Sequence, residues 1–168
     1  GGEPFMLKNI GELIDHFIAK GLKIGISTHG VFPDRLVKVL PKLNYVALDL
    51  KSSDQEVYEF LDLINGNNSM VKSMVSKCVL DEQIKSRDDF DFEVRTTLYP
   101  PYVTMNTIEE LGKQMEDDCR WVLQQYRPTK YLYDMVSTNG VTPYTHDELN
   151  GLLDKAREYT KEAQLRYV

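Results

Sequence analysis

Cysteine is scarce: two in 168 residues, Cys78 and Cys119. Two isolated thiols exclude a disulfide framework and do not make a metal site. Both fall at apolar positions of helical spacing and read as small core residues in a reducing compartment. Cationic clusters are missing too. Lys and Arg number 20 against 26 Asp and Glu, for a net charge of −6. That balance argues against a nucleic-acid or anionic-membrane surface. No apolar run approaches the roughly 20 residues needed to span a bilayer, and no secretory signal pattern is present. The expected location is the cytoplasm, with no nucleic-acid or membrane partner. Neither a Walker phosphate loop nor a dinucleotide glycine fingerprint occurs, and no Ser/His/Asp set has a recognisable spacing. What remains is ordinary for a globular chain, 42% hydrophobic and 27% charged, and its length suits one domain over 1–168 with a sizeable core.

The most informative run is Tyr45 to Lys51 (Tyr-Val-Ala-Leu-Asp-Leu-Lys). Val46, Ala47, Leu48 and Leu50 read as a strand buried on both faces, the pattern of a parallel sheet under helices. Asp49 and Lys51 load its carboxyl end, two residues apart and therefore aimed to one face. In α/β folds that end is where ligands bind. A self-contained surface ion pair is the plainer reading of these two residues.

The same pattern recurs along the chain. Leu7, Ile10, Leu13, Ile14, Phe17 and Ile18 predict a helix that stops at Gly21. Lys23 to Ser27 predicts a short strand ending in the polar turn Ser27-Thr28-His29-Gly30. Pro33 opens a helix carrying Leu36, Val37 and Leu40, and Pro41 ends it. Ser53-Asp-Gln-Glu56 reads as a capping box before a helix through Val57, Phe60, Leu61 and Ile64. A further helix carries Met70, Met74, Val75 and Cys78. Phe90 to Leu98 predicts a strand with Arg95, Thr96 and Thr97 at its end. Thr107-Ile-Glu-Glu110 reads as a second capping box, opening a helix with Ile108, Leu111, Met115 and Cys119. Trp121 to Gln125 is a strand, followed by Tyr126-Arg-Pro128 and a loop of about 18 residues to Pro143. Thr145-His-Asp-Glu148 is a third capping box, before the stripe Leu149, Leu152, Leu153, Ala156 and Tyr159. Leu165 to Val168 predicts a last strand.

Helices and strands therefore alternate, as in a parallel sheet of right-handed βαβ units with about five strands. Periodicity leaves open whether this is a small doubly wound sheet or part of a barrel. The carboxyl ends converge on one rim in such a sheet. That rim would carry Gly1–Pro4, Ser27–Gly30, Asp49–Lys51, Arg95–Thr97 and Gln124–Arg127. It suits a zwitterionic ligand with hydroxyls: Lys51 or Arg95 for a carboxylate, Asp49 or Glu3 for an amine or hydroxyl. His29 reads either as a ligand contact or as a turn residue tolerant of a left-handed backbone. Arg127 reads as a rim contact or an ion-pair partner. His16 and His146 read as surface residues and Trp121 as core.

These runs, in this order, resemble radical S-adenosylmethionine enzymes. More narrowly, they resemble the activating proteins of anaerobic ribonucleotide reductase and pyruvate formate-lyase. Gly1-Gly2-Glu3-Pro4 resembles the Gly-Gly-Glu-Pro motif that lines the amino group of S-adenosylmethionine. Ser27-Thr28-His29-Gly30 stands where the family commonly has Asp-Thr-Asn-Gly. Asp49-Leu-Lys51 is similar to a strand end that meets the ribose and carboxylate. Glu93-Val-Arg95-Thr-Thr-Leu-Tyr-Pro100 and Leu123-Gln-Gln-Tyr-Arg-Pro128 are similar to two further strands. The resemblance covers the whole chain. It departs at Ser27 and His29, and at Tyr99-Pro-Pro-Tyr102 in place of a Pro-Gly turn.

The resemblance implies the fold: the C-terminal portion of a partial (βα)6 TIM-like barrel. One or two βα units would precede Gly1, including the loop whose Cys-x3-Cys-x2-Cys holds a [4Fe–4S] cluster in the parent protein. Nothing in this chain replaces those ligands, so it reads as a fragment that is inactive by itself. The parent would reductively cleave S-adenosylmethionine to a 5′-deoxyadenosyl radical that takes hydrogen from a partner glycine. The cofactor-binding residues implied are Gly1, Gly2, Glu3, Pro4, Ser27, Thr28, His29, Asp49, Lys51, Arg95, Gln124 and Gln125, with none catalytic. The partners implied are a glycyl-radical enzyme and an electron donor such as flavodoxin or ferredoxin. Two alternatives stand beside this: a radical S-adenosylmethionine enzyme acting on a small molecule or peptide, and a non-catalytic α/β interaction domain.

Overall fold

The structure, a computed structural model, describes residues 2–52, 86–115, 118–128 and 141–167. The Ser53–Glu56 capping box, the helices expected on either side of Gly66, Cys78 and most of the loop before Pro143 lie outside the described residues. Five strands form one sheet in the order β1-β2-β3-β4-β5. The chain divides into two compact units, Gly1–Leu50 with Asp54–Val94, and Lys51–Ser53 with Arg95–Val168.

The first unit begins with a 3-10 turn over Pro4–Met6, which buries Phe5. Helix α1 (Ile10–Ile18) follows at the predicted spacing. It closes as the sequence requires: Gly21 N–H donates to Ile18 O (2.8 Å) and Leu22 N–H to Phe17 O (3.2 Å), a Schellman-type pair. Gly21 takes φ 77° there, a left-handed conformation costly for any residue with a Cβ. Strand β1 (Gly25–Thr28) pairs in parallel with β2 (Tyr45–Asp49), Gly25 opposite Tyr45 and Thr28 opposite Leu48. Between them lie α2 (Pro33–Val39), with Pro33 in its first turn, and a 3-10 turn over Leu40–Lys42 that contains Pro41.

The α2 stripe differs from expectation by one position. Leu36, Val39 and Leu40 are buried while Val37 is 45% exposed. The i, i+3, i+4 spacing of the buried set is the ordinary apolar face of a helix, and Val37 falls off it. On β2, Val46, Ala47 and Leu48 have no exposure and Leu50 only 2%, as a strand covered on both faces demands. The strand stops at Asp49, so Lys51 lies in the segment after it.

Strand β3 (Asp91–Leu98) is divided between the units after Val94. The second unit continues with α3 (Met105–Gly112), β4 (Trp121–Gln125), α4 (His146–Arg157) and β5 (Gln164–Arg166). β4 and β5 are parallel, with Leu123 opposite Leu165. The predicted α3 cap is corrected: the box is Thr104 with Thr107, one turn earlier than Thr107 with Glu110. Thr107 serves as the N3 partner, its hydroxyl accepting from Thr104 N–H (3.1 Å) and donating to Tyr102 O (3.1 Å). A threonine here does what Glu or Gln does in the usual box. Because α3 ends at Gly112, Cys119 is not helical. It lies buried just before β4, where its carbonyl accepts from Thr160 Oγ1 at 2.6 Å.

The α4 box is the predicted one. Thr145 N–H donates to Glu148 Oε2 (2.8 Å), and Glu148 N–H donates to Thr145 Oγ1 (3.4 Å). That backbone donor holds the Glu148 carboxyl below its usual range. Leu149, Leu152, Leu153 and Ala156 are buried along one stripe. Among the described residues, no helix is long and apolar enough to cross a membrane.

Candidate ligand-binding site

In the first unit, the Gly-Gly-Glu-Pro loop and the turn after β1 meet through one carboxylate. Glu3 Oε1 accepts from Thr28 Oγ1 at 2.7 Å and from Phe5 N–H at 3.2 Å. Glu3 Oε2 accepts from His29 N–H at 3.1 Å and lies 3.2 Å from His29 Nε2. The Glu3 side chain is 2% exposed and that of His29 18%. Burial of this kind strengthens each contact and makes an unmet donor costly. The Thr28 hydroxyl, donating to Glu3, also accepts from Gly30 N–H at 3.1 Å. Gly30 takes φ 75°, which lets the turn close so tightly.

Arg35 of α2 adds a second tie, donating from Nη1 to Phe5 O at 2.5 Å. Its guanidinium lies 5.3 Å from the centre of the Phe32 ring. The side chain of Phe5 has no exposure. Gly2 is exposed, with no atom within 4 Å of where a Cβ would stand. Pro4 opens the 3-10 turn, and Ser27 is exposed. Gly1 lies outside the described residues. Asp49, at the end of β2, is half-buried. Sequence reasoning placed Glu3, Thr28 and His29 on one rim but did not pair them, and it missed Arg35, whose only signal was a cation in the first turns of a short helix.

In the second unit, Lys51 is half-buried beside the buried Ser52. The Arg95-Thr96-Thr97 run divides by strand alternation. Thr96 is fully buried, its Oγ1 accepting from Trp121 Nε1 at 3.0 Å, while Arg95 and Thr97 are half-buried on the other face. Gln124 and Gln125 are half-buried at the end of β4, Gln124 opposite Arg166. Arg127 is exposed. The departures at Tyr99 and Tyr102 form a ring cluster with Tyr126. Centroids are 5.4 Å apart for Tyr99–Tyr102 and 4.8 Å for Tyr99–Tyr126. Burial, and then the neighbouring Tyr126 and Tyr102, push the Tyr99 phenol up.

An iron–sulfur cluster does not fit the residues present. Its ligands are thiolates, and the chain has two cysteines in all. Among the described residues no group of three or more His, Cys, Asp or Glu could hold a metal ion.

A five-stranded α/β sheet with polar residues at its strand ends has clear relatives. No family model matches the chain. A Methanocaldococcus jannaschii protein named as a glycyl-radical enzyme activating enzyme is 25% identical over 171 residues, covering 100% of this chain and 69% of that protein. A second of the same name and organism is 28% identical over 134 residues, covering 79% of this chain and 48% of that protein. The chain thus spans about two thirds of one relative, and the match to the other takes in about half of its length. Among solved structures, a domain of a pyruvate-formate lyase-activating enzyme from Bacteroides vulgatus superposes with a TM-score of 0.71 at 13% identity, over 99% of this chain and 95% of that one. TYW1 with a lysine-pyruvate adduct bound superposes with a TM-score of 0.58 at 18% identity, over 95% of this chain and 48% of that one. At such identities the structural likeness shows the fold alone: a parallel α/β sheet like that of the pyruvate-formate lyase-activating enzyme domain. By sequence, the chain is similar to these two proteins named as glycyl-radical enzyme activating enzymes.

Proposed function

We propose that the chain is the S-adenosylmethionine-binding portion of a radical enzyme that activates a glycyl-radical enzyme. The observation that carries this is the 25% identity to a protein named as such an activator along the entire chain, together with five motif-like strand ends in the family's order. On this reading Glu3 and the Gly1–Gly2 main chain take the ammonium of S-adenosylmethionine. Lys51 and Asp49 serve its carboxylate and ribose, and Arg95, Gln124 and Gln125 shape the rim. These side chains match a zwitterion with hydroxyls by charge and hydrogen-bond type. Ser27 flanks the same loop. Cleavage of S-adenosylmethionine to a carbon radical is chemistry that the cluster supplies, and the protein's share is binding and orientation. Because the cluster's thiolates are not in this chain, the 168-residue chain itself is proposed to be inactive. In the whole protein, an electron donor such as flavodoxin or ferredoxin would reduce the cluster.

The test is anaerobic reconstitution of the native-length gene product with iron and sulfide, followed by incubation with S-adenosylmethionine and reductant. The expected result is 5′-deoxyadenosine, with a glycyl-radical signal by electron paramagnetic resonance once a glycyl-radical enzyme from the same source is added. Deoxyadenosine formed only with a small molecule or free peptide would select the other radical-enzyme reading. No cluster and no binding of S-adenosylmethionine in the native-length product would leave an interaction domain. Cleavage by the 168-residue chain alone would overturn its proposed inactivity.

A further inference from the structure

We propose that the hydroxyl of Tyr126 is held for a partner protein: it donates to a main-chain carbonyl of that partner, at a cost in stability to the free chain. The identity of the partner, a glycyl-radical enzyme, rests on the reading above. Tyr126 directly follows β4 and is 7% exposed. Among the described residues its hydroxyl is buried and has no hydrogen-bond partner. A buried donor without an acceptor costs stability. Phenylalanine would fill the same space without that cost. The unmet donor stands at the carboxyl end of a strand, where ligands bind in this class of fold. A buried polar group left unpaired at such a place is a group awaiting its acceptor.

The surroundings of Tyr126 fit a polypeptide. Tyr102 N–H donates to Tyr99 O at 3.0 Å and Val103 N–H to the same oxygen at 2.9 Å, closing a turn around Pro100 and Pro101. Two prolines fix φ and donate no main-chain hydrogen bond, so the turn is stiff. It presents the half-buried rings of Tyr99 and Tyr102 with centroids 5.4 Å apart, and Tyr126 packs edge-on at 4.8 Å from Tyr99. Pro101 and Arg127, adjacent in sequence to these tyrosines, are exposed. Tyrosine and arginine are the side chains most enriched where protein–protein binding energy concentrates. Stiff tyrosines offer wide amphipathic area at little entropic cost. A neutral phenol suits a neutral acceptor, and the main-chain carbonyl is the one every polypeptide segment presents. On docking, the Tyr99 ring turns to admit it.

The test compares Tyr126→Phe and Tyr144→Phe with wild type in the reconstituted native-length protein. Each variant removes one phenolic hydroxyl. That of Tyr144 already has a partner, donating to Val103 O at 2.8 Å. Tyr144→Phe is therefore expected to lower the melting temperature, and Tyr126→Phe to raise it by about 2–4 °C. Affinity for the intact glycyl-radical enzyme from the same source is measured by isothermal titration. Tyr126→Phe should weaken it about tenfold, the ratio for one lost buried hydrogen bond. Its affinity for S-adenosylhomocysteine should be unchanged. No rise in melting temperature would overturn the inference, since the hydroxyl would then have a protein or water partner in the free chain. Equal binding of the glycyl-radical enzyme by wild type and Tyr126→Phe would overturn it while the partner reading stands. A loss confined to S-adenosylhomocysteine would assign the hydroxyl to the small ligand and overturn it as well. If wild type itself does not bind the glycyl-radical enzyme, the partner reading falls, and the docking contact falls with it.

Discussion

The two ends of the strands in the first unit are held by different chemistry. At the carboxyl end a buried carboxylate collects three hydrogen-bond donors and packs against the His29 imidazole. At the amino end the organiser is a neutral amide, Asn44. Its side-chain oxygen accepts from Ile24 N–H at 2.9 Å, its main-chain N–H donates to Ile24 O at 2.8 Å, and its main-chain carbonyl accepts from Asp91 N–H at 2.9 Å. Its NH2 donates to Asp89 Oδ2 at 2.9 Å. Arg87 forks onto Asp89 at 3.0 and 3.2 Å and reaches Pro41 O at 3.0 Å. This end is open to water, with Arg87 24% and Asp89 52% exposed against 2% for Glu3. The bond counts are similar, but water can replace the partners at one end and not at the other. A ligand site needs fixed geometry, and the buried charge stands at the end where ligands bind in this class of fold.

That contrast ranks the substitutions. Glu3→Ala removes the acceptor from two main-chain N–H groups and a hydroxyl in a dry setting, at a cost of about 3 kcal/mol or more. For a chain of this length that is a fall of roughly 6–12 °C in melting temperature. A fall under about 2 °C would mean that water takes over the donors as easily as it does at the other end. Asn44→Ala is next, at about 1–2 kcal/mol, because Ile24 N–H loses its partner at a half-open site. Calorimetry of the two variants beside wild type orders them directly. If Asn44→Ala costs more than Glu3→Ala, burial is not what separates the two ends.

The strands were the most legible part of the sequence. Tyr45–Asp49 and Trp121–Gln125 could be read because a covered parallel strand is an apolar run with an abrupt polar end. Thr145–Glu148 could be read because its cap has the common acid at N3. The cap of α3 was misplaced because a threonine at N3 makes the same reciprocal bonds and leaves no acidic signature. That error carried Cys119 onto a helix which in fact stops at Gly112. Val37 was misassigned because a seven-residue helix, α2, offers too few apolar positions to fix its phase. At the site, residue types placed Glu3, Thr28 and His29 at one rim. Their mutual bonds were not legible, since contacts across 25 and 26 residues of sequence depend on the turn at Gly30. Asn44 was invisible for a related reason: its two partner segments, at Ile24 and at Asp89–Asp91, come together only once the strands have paired.

The smallest expected effect lies at the open end and is read through pH. The hydrogen-bonded guanidinium of Arg87 holds the Asp89 carboxyl below its ordinary value of 3.8, against a weaker opposing effect of burial. A folded-state value below the unfolded one means that the pair contributes stability fully above about pH 3.8. That contribution is lost as pH falls through the depressed value. Asp89→Asn should therefore melt slightly below wild type at neutral pH. The gap should close as pH falls below about 4, and it should narrow at neutral pH in high salt, because the pair is solvent-exposed and screened. Thermal melts of both proteins across that range, at low and high salt, check the sign. A gap that persists undiminished at the acid end would show that Asp89 acts as a neutral hydrogen-bond partner of Asn44. The amino end would then owe nothing to charge, and its contrast with the buried Glu3 carboxylate would be sharper still.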